Sequence, residues 1–224
     1  MPSVAAGMPI CEVSAMKAII FDLDGVIVST DEQHYQGWKA LADRLGIPFD
    51  RNANNRFRGV SRMACMDILE ELGGKCYTAQ EKIAYATWKN DYYRKLLGEM
   101  SPADLSDEVK STLDALRAKG MKLAIGSSSK NAKFILERIG LADYFDAISD
   151  GTNISKSKPD PEVFLKATEF LGVAPEECLV VEDATAGVDA AHAGGMKAAA
   201  VGDTAEKQYG DFILERFSDL LNIV

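Results

Sequence analysis

The stretch Lys17-Ala18-Ile19-Ile20-Phe21-Asp22-Leu23-Asp24-Gly25-Val26 decides the fold. Its first half is an apolar run of the kind that forms a buried strand, and it ends in two carboxylates one residue apart. Taking one charge out of water is costly, and a second like charge beside it is worse, unless a cation or a reaction uses them. In open α/β sheets, ligands bind just beyond the carboxyl ends of the strands. The run therefore predicts a core strand that delivers Asp22 and Asp24 to a site, with Gly25 permitting the sharp turn that follows. A carboxylate can attack phosphorus and hold the group covalently. A second carboxyl two residues on can act as general acid and base. A capping pair at a strand–loop junction is the plainer alternative for the same spacing.

Composition bounds the possibilities. The chain has 224 residues, 47% of them hydrophobic, which suffices for a sizeable core and argues against wholesale disorder. A net charge of −9 argues against a nucleic-acid partner, which would demand a basic footprint. It leaves room for a phosphorylated small molecule, because local lysines and backbone amides can bind one. Cys11, Cys65, Cys76 and Cys178 form no CxxC pair, and with two histidines in the chain there is no thiol–imidazole zinc pattern. Scattered thiols of this kind fit a cytoplasmic protein. No apolar stretch approaches the length of a membrane span, and the first 15 residues lack the basic start and apolar run of a signal peptide, so no membrane partner is expected.

From residue 102 onward, strand-like runs alternate with helical patterns. Strands are expected at Lys122–Ile125, Phe145–Ile148, Cys178–Val181 and Lys197–Val201. Helices are expected at Asn131–Ile139, Pro161–Leu171 (with Asp160 as N-cap) and Ala184–Ala193. This alternation predicts a parallel sheet with helices on both faces, joined by the strand at 17–22. Residues 31–100 differ: they carry helical periodicity and no convincing strand. Trp38, Leu41, Ala42 and Leu45 form one stripe, Met63, Met66, Ile68, Leu69 and Leu72 a second, and Ile83 to Leu97 a third helix. The expected division is 1–30 with 101–224 for the α/β core, and 31–100 for a helical insert acting as a lid over the carboxyl edge of the sheet.

Three further segments carry chemistry. Gly126-Ser127-Ser128-Ser129-Lys130-Asn131, between a strand and a helix, offers amides and hydroxyls as a phosphate cradle, against the alternative of an ordinary serine N-cap. Ser157-Lys158-Pro159-Asp160-Pro161 presents a compact cation from a stiff loop, or else a surface lysine in a turn. Val180-Val181-Glu182-Asp183-Ala184 again ends an apolar strand in acids. Asp22 and Asp183 are candidates to share Mg²⁺, a hard ion that takes oxygen ligands; helix capping by Asp183 is compatible with that role. No one of these is strong alone. Acid pair, serine loop, lysine loop and acid pair, in that order at strand ends, together describe phosphoryl transfer on Asp and Mg²⁺.

The four motifs resemble those of the haloacid dehalogenase superfamily, in its phosphotransferase branch with a helical cap, over residues 17 to 224. The resemblance implies a Rossmann-like parallel sheet core with an inserted α-helical cap. It also implies Asp22 as nucleophile, Asp24 as acid/base, and Ser127 and Lys158 as ligands of the transferring phosphoryl group, with Ser128, Ser129 and Lys130 beside them. Mg²⁺ would be held by Asp22, Asp183 and the main-chain carbonyl of Asp24, with Glu182 in support. Further segments resemble the β-phosphoglucomutase family: Thr30, His34 and Trp38-Lys-Ala-Leu-Ala42; Arg58-Gly59-Val60-Ser61-Arg62; Trp88-Lys89-Asn90-Asp91; Ser129-Lys130-Asn131. That likeness implies substrate contacts from Thr30, His34, Trp38, Arg58, Gly59, Val60, Ser61, Arg62, Lys89 and Asn131, with Arg62 gripping the distal phosphate. Two positions depart from the pattern. Ser29 stands where Asp often precedes the Thr30 position, and Cys65 where a small hydroxyl is expected. Without the resemblance, Arg62 and Lys89 read as a solvated charged face, and His34, in line with Asp31, Trp38 and Leu41, as a core histidine. His192 reads as structural.

The implied reaction interconverts β-glucose 1-phosphate and glucose 6-phosphate through phospho-Asp22 and glucose 1,6-bisphosphate, by a monomeric enzyme. The alternative is a Mg²⁺-dependent phosphatase of small sugar phosphates or related esters. A mutase must keep its acid/base misplaced until substrate closes the cap, since water competes at every cycle.

Overall fold

The computed structural model describes residues 16–57 and 61–224. The chain opens with strand β1 (Ala18–Phe21). It then leaves the sheet for helices α1 (Asp31–Leu45), α2 (Arg51–Asn55), α3 (Arg62–Gly73) and α4 (Ala79–Leu97). The alternating part follows as α5 (Asp107–Ala118), β2 (Lys122–Gly126), α6 (Ala132–Arg138), β3 (Ala147–Ser149), α7 (Glu162–Leu171), β4 (Cys178–Glu182), α8 (Thr185–Ala193), β5 (Lys197–Ala200), α9 (Gly202–Glu206) and β6 (Phe212–Ile213). The strands form one six-stranded sheet in the order β3-β2-β1-β4-β5-β6, with every pairing parallel.

The alternation along β1 explains its central place. Ile19 and Phe21 face a core containing Leu113, Leu116, Leu123, Ile135 and Val181. Ala18 and Ile20 face the other side, with Val163, Phe164, Ala167, Val188 and Ala191. A strand apolar on both faces is stable only between two helical layers. The register places Phe21 opposite Ile125 of β2 and Val181 of β4. Asp22 therefore emerges level with the ends of both neighbours, at the point where the sheet order reverses, and such switch points are where open α/β sheets bind ligands.

The insert has its own core. Trp38, Leu41 and Ala42 of α1 pack with Phe49, Phe57, Met66, Leu69 and Ala86, all buried. A left-handed Gly46 ends α1, and a Thr78–Glu81 capping box starts α4. Several details depart from the sequence expectations. Met63 and Ile83 are 41% and 59% exposed, because each points off its helix's packed stripe. The third sheet strand is Ala147–Ser149 rather than 145–148, since Phe145 turns into the core beneath it. Asp160 is not the N-cap of α7; Pro161 holds that place, and Asp160 Oδ1 accepts from Glu162 N at 3.1 Å. Asp183 does not cap α8, whose N-cap is Ala184. No helix among the described residues is long and apolar enough to cross a membrane.

Candidate active site

The core half of the site assembles on β1, β2, β4 and the loop after β3. Asp22 is 8% exposed and donates its main-chain N–H to Val181 O, which continues the sheet by one bond. Lys158 Nζ donates to Asp22 Oδ1 and to Glu182 Oε1, and lies over the Phe164 ring at 4.7 Å. Burial works against the Lys158 charge, but the facing carboxylates of Asp22 and Glu182 outweigh it and hold the ammonium above its ordinary range. The lysine is thus a fixed cation, carried beside a cis Lys158–Pro159 peptide. Glu182, 1% exposed, also accepts from Ala184 N at 3.0 Å, so both its oxygens are engaged. Gly187 lies directly against this carboxylate, where any Cβ would collide with it.

Asp183 is the carboxyl without such a partner. Among the described residues no hydrogen bond reaches it, and its carboxylate lies against the Gly25 turn, which takes φ +86°. Burial pushes its pKa up to about 7, and the neighbouring charges of Glu182, Asp22 and Asp24 add to the rise. Asp22, Glu182 and Asp183 face one ammonium, that of Lys158. No cluster of three or more His, Cys, Asp and Glu side chains among the described residues is arranged to hold a metal by itself. The Asp22 and Asp183 carboxylates, short of positive charge, nevertheless fit Mg²⁺, which usually takes one or two carboxylates and completes its shell with water and phosphate.

The serine loop closes this half. Ser127 is 3% exposed; its N–H bonds Ser149 O, and its Oγ accepts from Ser129 N at 3.2 Å. Ser129 Oγ in turn accepts from Asn131 N at 3.1 Å. The helix α6 begins after Asn131, so the serines do not cap it. Ser128 Oγ is buried with no partner among the described residues, a donor left over for a ligand. The Lys130 side chain is exposed.

Asp24 turns away from this set. Its two oxygens accept from Thr30, one from the main-chain N–H and one from Oγ1, each at 2.7 Å. Burial pushes the Asp24 pKa up to about 6, against the lowering effect of both Thr30 bonds. Thr30 is fully buried and accepts from Tyr93 Oη at 3.0 Å, so its hydroxyl links Tyr93 to Asp24. His34 Nε2 lies 3.8 Å from Asp24 Oδ2, and its ring stacks on Tyr93 at 4.2 Å. Lys89 Nζ reaches His34 Nδ1 at 3.0 Å and sits 4.8 Å and 4.6 Å from the Trp38 and Tyr93 ring centres. Burial brings Lys89 down to about 7, and the Arg62 cation adds to the fall. Burial, then Lys89 and Arg62, hold His34 well below its ordinary value, as a neutral ring.

The resemblance-based contacts therefore divide. His34 stands beside Asp24, and Lys89 stands behind His34. Trp38 is 4% exposed, and its ring lies under Lys89. Ser61 is the N-cap of α3, its Oγ accepting from Ala64 N at 3.2 Å. Arg62 is exposed and donates to Asn90 Oδ1 at 2.8 Å. Asn131, 5% exposed, bridges to the cap through Asn90 and Arg94. Arg58, Gly59 and Val60 lie outside the described residues. The sequence reading missed Tyr93, which orders both Thr30 and His34, and Gly37, where a Cβ would meet Lys89 Cε at 2.8 Å. A glycine buried inside a helix was the available signal for the second. His192 bonds Asp211 Oδ2 at 2.9 Å at the far edge of the sheet, away from this site.

Comparison with known proteins places the chain in a family. The family model for haloacid dehalogenase-like hydrolases matches residues 16–195. The chain belongs to that family. A β-phosphoglucomutase of Bacillus subtilis is 41% identical over 207 residues, covering 92% of each chain. A phosphorylated carbohydrates phosphatase of Thermotoga maritima, also similar to this family member, is 31% identical and covers 81% of this chain and 83% of its own. Among solved structures, a β-phosphoglucomutase from Clostridium difficile superposes with a TM-score of 0.82 at 36% identity, covering 92% of this chain and 93% of that one.

Proposed function

We propose that this haloacid dehalogenase-like protein is a β-phosphoglucomutase, interconverting β-glucose 1-phosphate and glucose 6-phosphate. The observation that carries the reading is the placement of Asp24. A phosphatase profits from an acid/base permanently aimed at its water. Here both oxygens of Asp24 rest on Thr30, while the cap sets His34, Lys89 and Arg62 around the same cleft. This supports a gated acid/base, and gating is what a phosphoenzyme needs if water is to be refused and a sugar hydroxyl accepted.

In this mechanism Asp22 carries the phosphoryl group. The 6-hydroxyl of β-glucose 1-phosphate attacks phosphorus as Asp24 leaves Thr30 and takes the proton. Glucose 1,6-bisphosphate turns over in the cleft. Asp22 then attacks the 1-phosphoryl group, Asp24 returns its proton to the sugar oxygen, and glucose 6-phosphate departs. A carboxyl pKa raised to about 6 suits a group that must both take and give a proton near neutrality. Lys158 offsets charge on the transferring oxygens, and Ser127 with the idle Ser128 hydroxyl supplies donors. Mg²⁺, held by Asp22, Asp183 and the Asp24 carbonyl with Glu182 in support, would supply positive charge beside the attacked phosphoryl group. Arg62 takes the phosphoryl group that is not reacting and turns its binding energy into cap closure.

Product analysis tests the proposal. Incubation with β-glucose 1-phosphate, Mg²⁺ and a trace of glucose 1,6-bisphosphate yields glucose 6-phosphate if it is right. Free glucose and inorganic phosphate as the main products would establish a phosphatase instead.

A further inference from the structure

Two donors from opposite sides of the cleft meet on one oxygen. Arg62, at the start of α3 in the cap, donates to Asn90 Oδ1 at 2.8 Å. Asn131, which precedes α6 in the core, donates through Nδ2 to the same oxygen at 3.3 Å. The other end of the Asn131 amide is also taken: its Oδ1 accepts from Arg94 NH1 at 2.9 Å. Arg94 is itself steadied by its guanidinium lying 4.6 Å from the Phe134 ring centre. An arginine has donors only, whereas an asparagine amide has a donor end and an acceptor end of nearly the same shape. Arg94 therefore sets which way the Asn131 amide faces, with its carbonyl toward α4 and its NH₂ toward Arg62 and Asn90.

A guanidinium and an amide NH₂ converging on one oxygen make an anion-binding geometry, and the oxygen they now share is neutral. An anionic phosphoryl oxygen takes the same two donors in stronger bonds. We propose that Asn90 is a placeholder for the non-reacting phosphoryl group of the substrate. Its Oδ1 keeps Arg62 and Asn131 together across the cleft and gives way when that group arrives. Arg94 is the positioning residue that keeps the NH₂ end of Asn131 facing the phosphoryl group. The inference rests on the mutase reading, because only a substrate with a second anionic group fills the place that Asn90 vacates.

The test uses the full chain and the variants Asn90→Ala, Asn90→Asp and Arg94→Leu, with three readouts. The first is labelling of Asp22 by acetyl phosphate, followed by intact mass. The second is amide hydrogen exchange in residues 88–95 and 127–132, with and without glucose 1,6-bisphosphate and Mg²⁺. The third is KM and kcat for β-glucose 1-phosphate. Asn90→Ala is expected to exchange faster when free and to regain wild-type protection with the bisphosphate, which brings its own oxygen. Asn90→Asp, a charged placeholder, is expected to exchange more slowly when free and to raise KM. Arg94→Leu is expected to raise KM about tenfold, the effect of one lost hydrogen bond to a charged group, with kcat and Asp22 labelling within twofold of wild type. If bisphosphate does not restore protection in Asn90→Ala, or Asn90→Asp loosens the free protein as Ala does, Asn90 is a structural contact and the placeholder is wrong. Equal changes in KM and kcat, or lost labelling, in Arg94→Leu overturn its positioning role. A wild type that labels on Asp22 yet makes no glucose 6-phosphate defeats the mutase reading alone, and the exchange arms still decide the placeholder.

Discussion

Replacing Thr30 by valine keeps the shape of the side chain and deletes one of the two bonds that hold Asp24 aside. The bond lost is Thr30 Oγ1 to Asp24 Oδ2 at 2.7 Å, while the main-chain N–H of Thr30 still reaches Oδ1. A hydrogen bond to a charged group contributes about 1.5–3 kcal/mol. The Asp24 side chain is 33% exposed, so solvent replaces part of that and the lower end applies. About 1.4 kcal/mol is a tenfold change in an equilibrium. Asp24 should therefore reach toward Asp22 about ten times more often in the substrate-free enzyme. The expected result is a phosphoenzyme that hydrolyses up to about tenfold faster, with mutase kcat changed by less than about threefold, because bound sugar phosphate closes the cap in either protein. Tyr93 loses its acceptor in the same variant, so some loss of melting temperature is expected, and Thr30→Ser, which keeps the hydroxyl, serves as the control. The assay is decay of the acetyl phosphate-labelled protein by intact mass, beside the coupled glucose 6-phosphate assay. An unchanged phosphoenzyme lifetime in Thr30→Val, with kcat reduced, would show that Thr30 serves catalysis directly and that no gate exists.

Lys158→Met should abolish Asp22 labelling and lower stability by about 3–5 kcal/mol, because it leaves Glu182, 1% exposed, as an unpaired buried charge; a urea melt checks this, and Lys158→Met/Glu182→Gln should recover stability without activity. Lys89 falls from 10.5 to about 7 on burial. Between those values the unfolded chain holds a proton that the folded chain does not, so this group's contribution to stability rises with pH from 7 toward 10.5, and its full penalty is felt below 7. Lys89→Met should thus raise the melting temperature most at pH 6 and least near pH 10, while mutase activity falls; a pH-independent change in melting temperature would contradict the burial argument.

How much of this could be read from the chain depends on how local each piece is. Phe21-Asp22-Leu23-Asp24-Gly25 specifies its strand, its turn and its two carboxylates within a few residues, so β1 and the placement of both carboxylates just beyond it are legible together. Lys158 lies nine residues beyond β3, and nothing near it in sequence shows that Asp22 and Glu182 will close on its ammonium. Only the order of the motifs pointed there. The two-residue strand Phe212–Ile213 and the five-residue helix Arg51–Asn55 are too short to set up a period, so tertiary pairing decides them. Trp38 shows a related limit. The sequence places it in an apolar stripe with Leu41 and Ala42, but Lys89, whose Nζ lies over its ring, arrives from a helix about fifty residues later.

That distance separates the two functions of the site. Asp22, Ser127 and Glu182, proposed to surround the transferring phosphoryl group, sit at the ends of β1, β2 and β4, whose register is set by the central core, so their positions follow once the sheet forms. The groups proposed to choose a partner for the phosphoryl group lie on α1, α3 and α4, which meet the rest of the chain through the Thr30–Tyr93 bond, the Asn131 contacts to Asn90 and Arg94, and the apolar packing of Tyr93 and Leu97 in the cluster that holds Val26, Ile27 and Val28. Trp38 and Met66 belong to a different apolar cluster, apart from the two that pack the sheet. Side chains that pack there do not set the positions of Asp22 and Lys158, so substitutions on that side of α1, α3 and α4 can alter the cleft while leaving the strand-end groups in place.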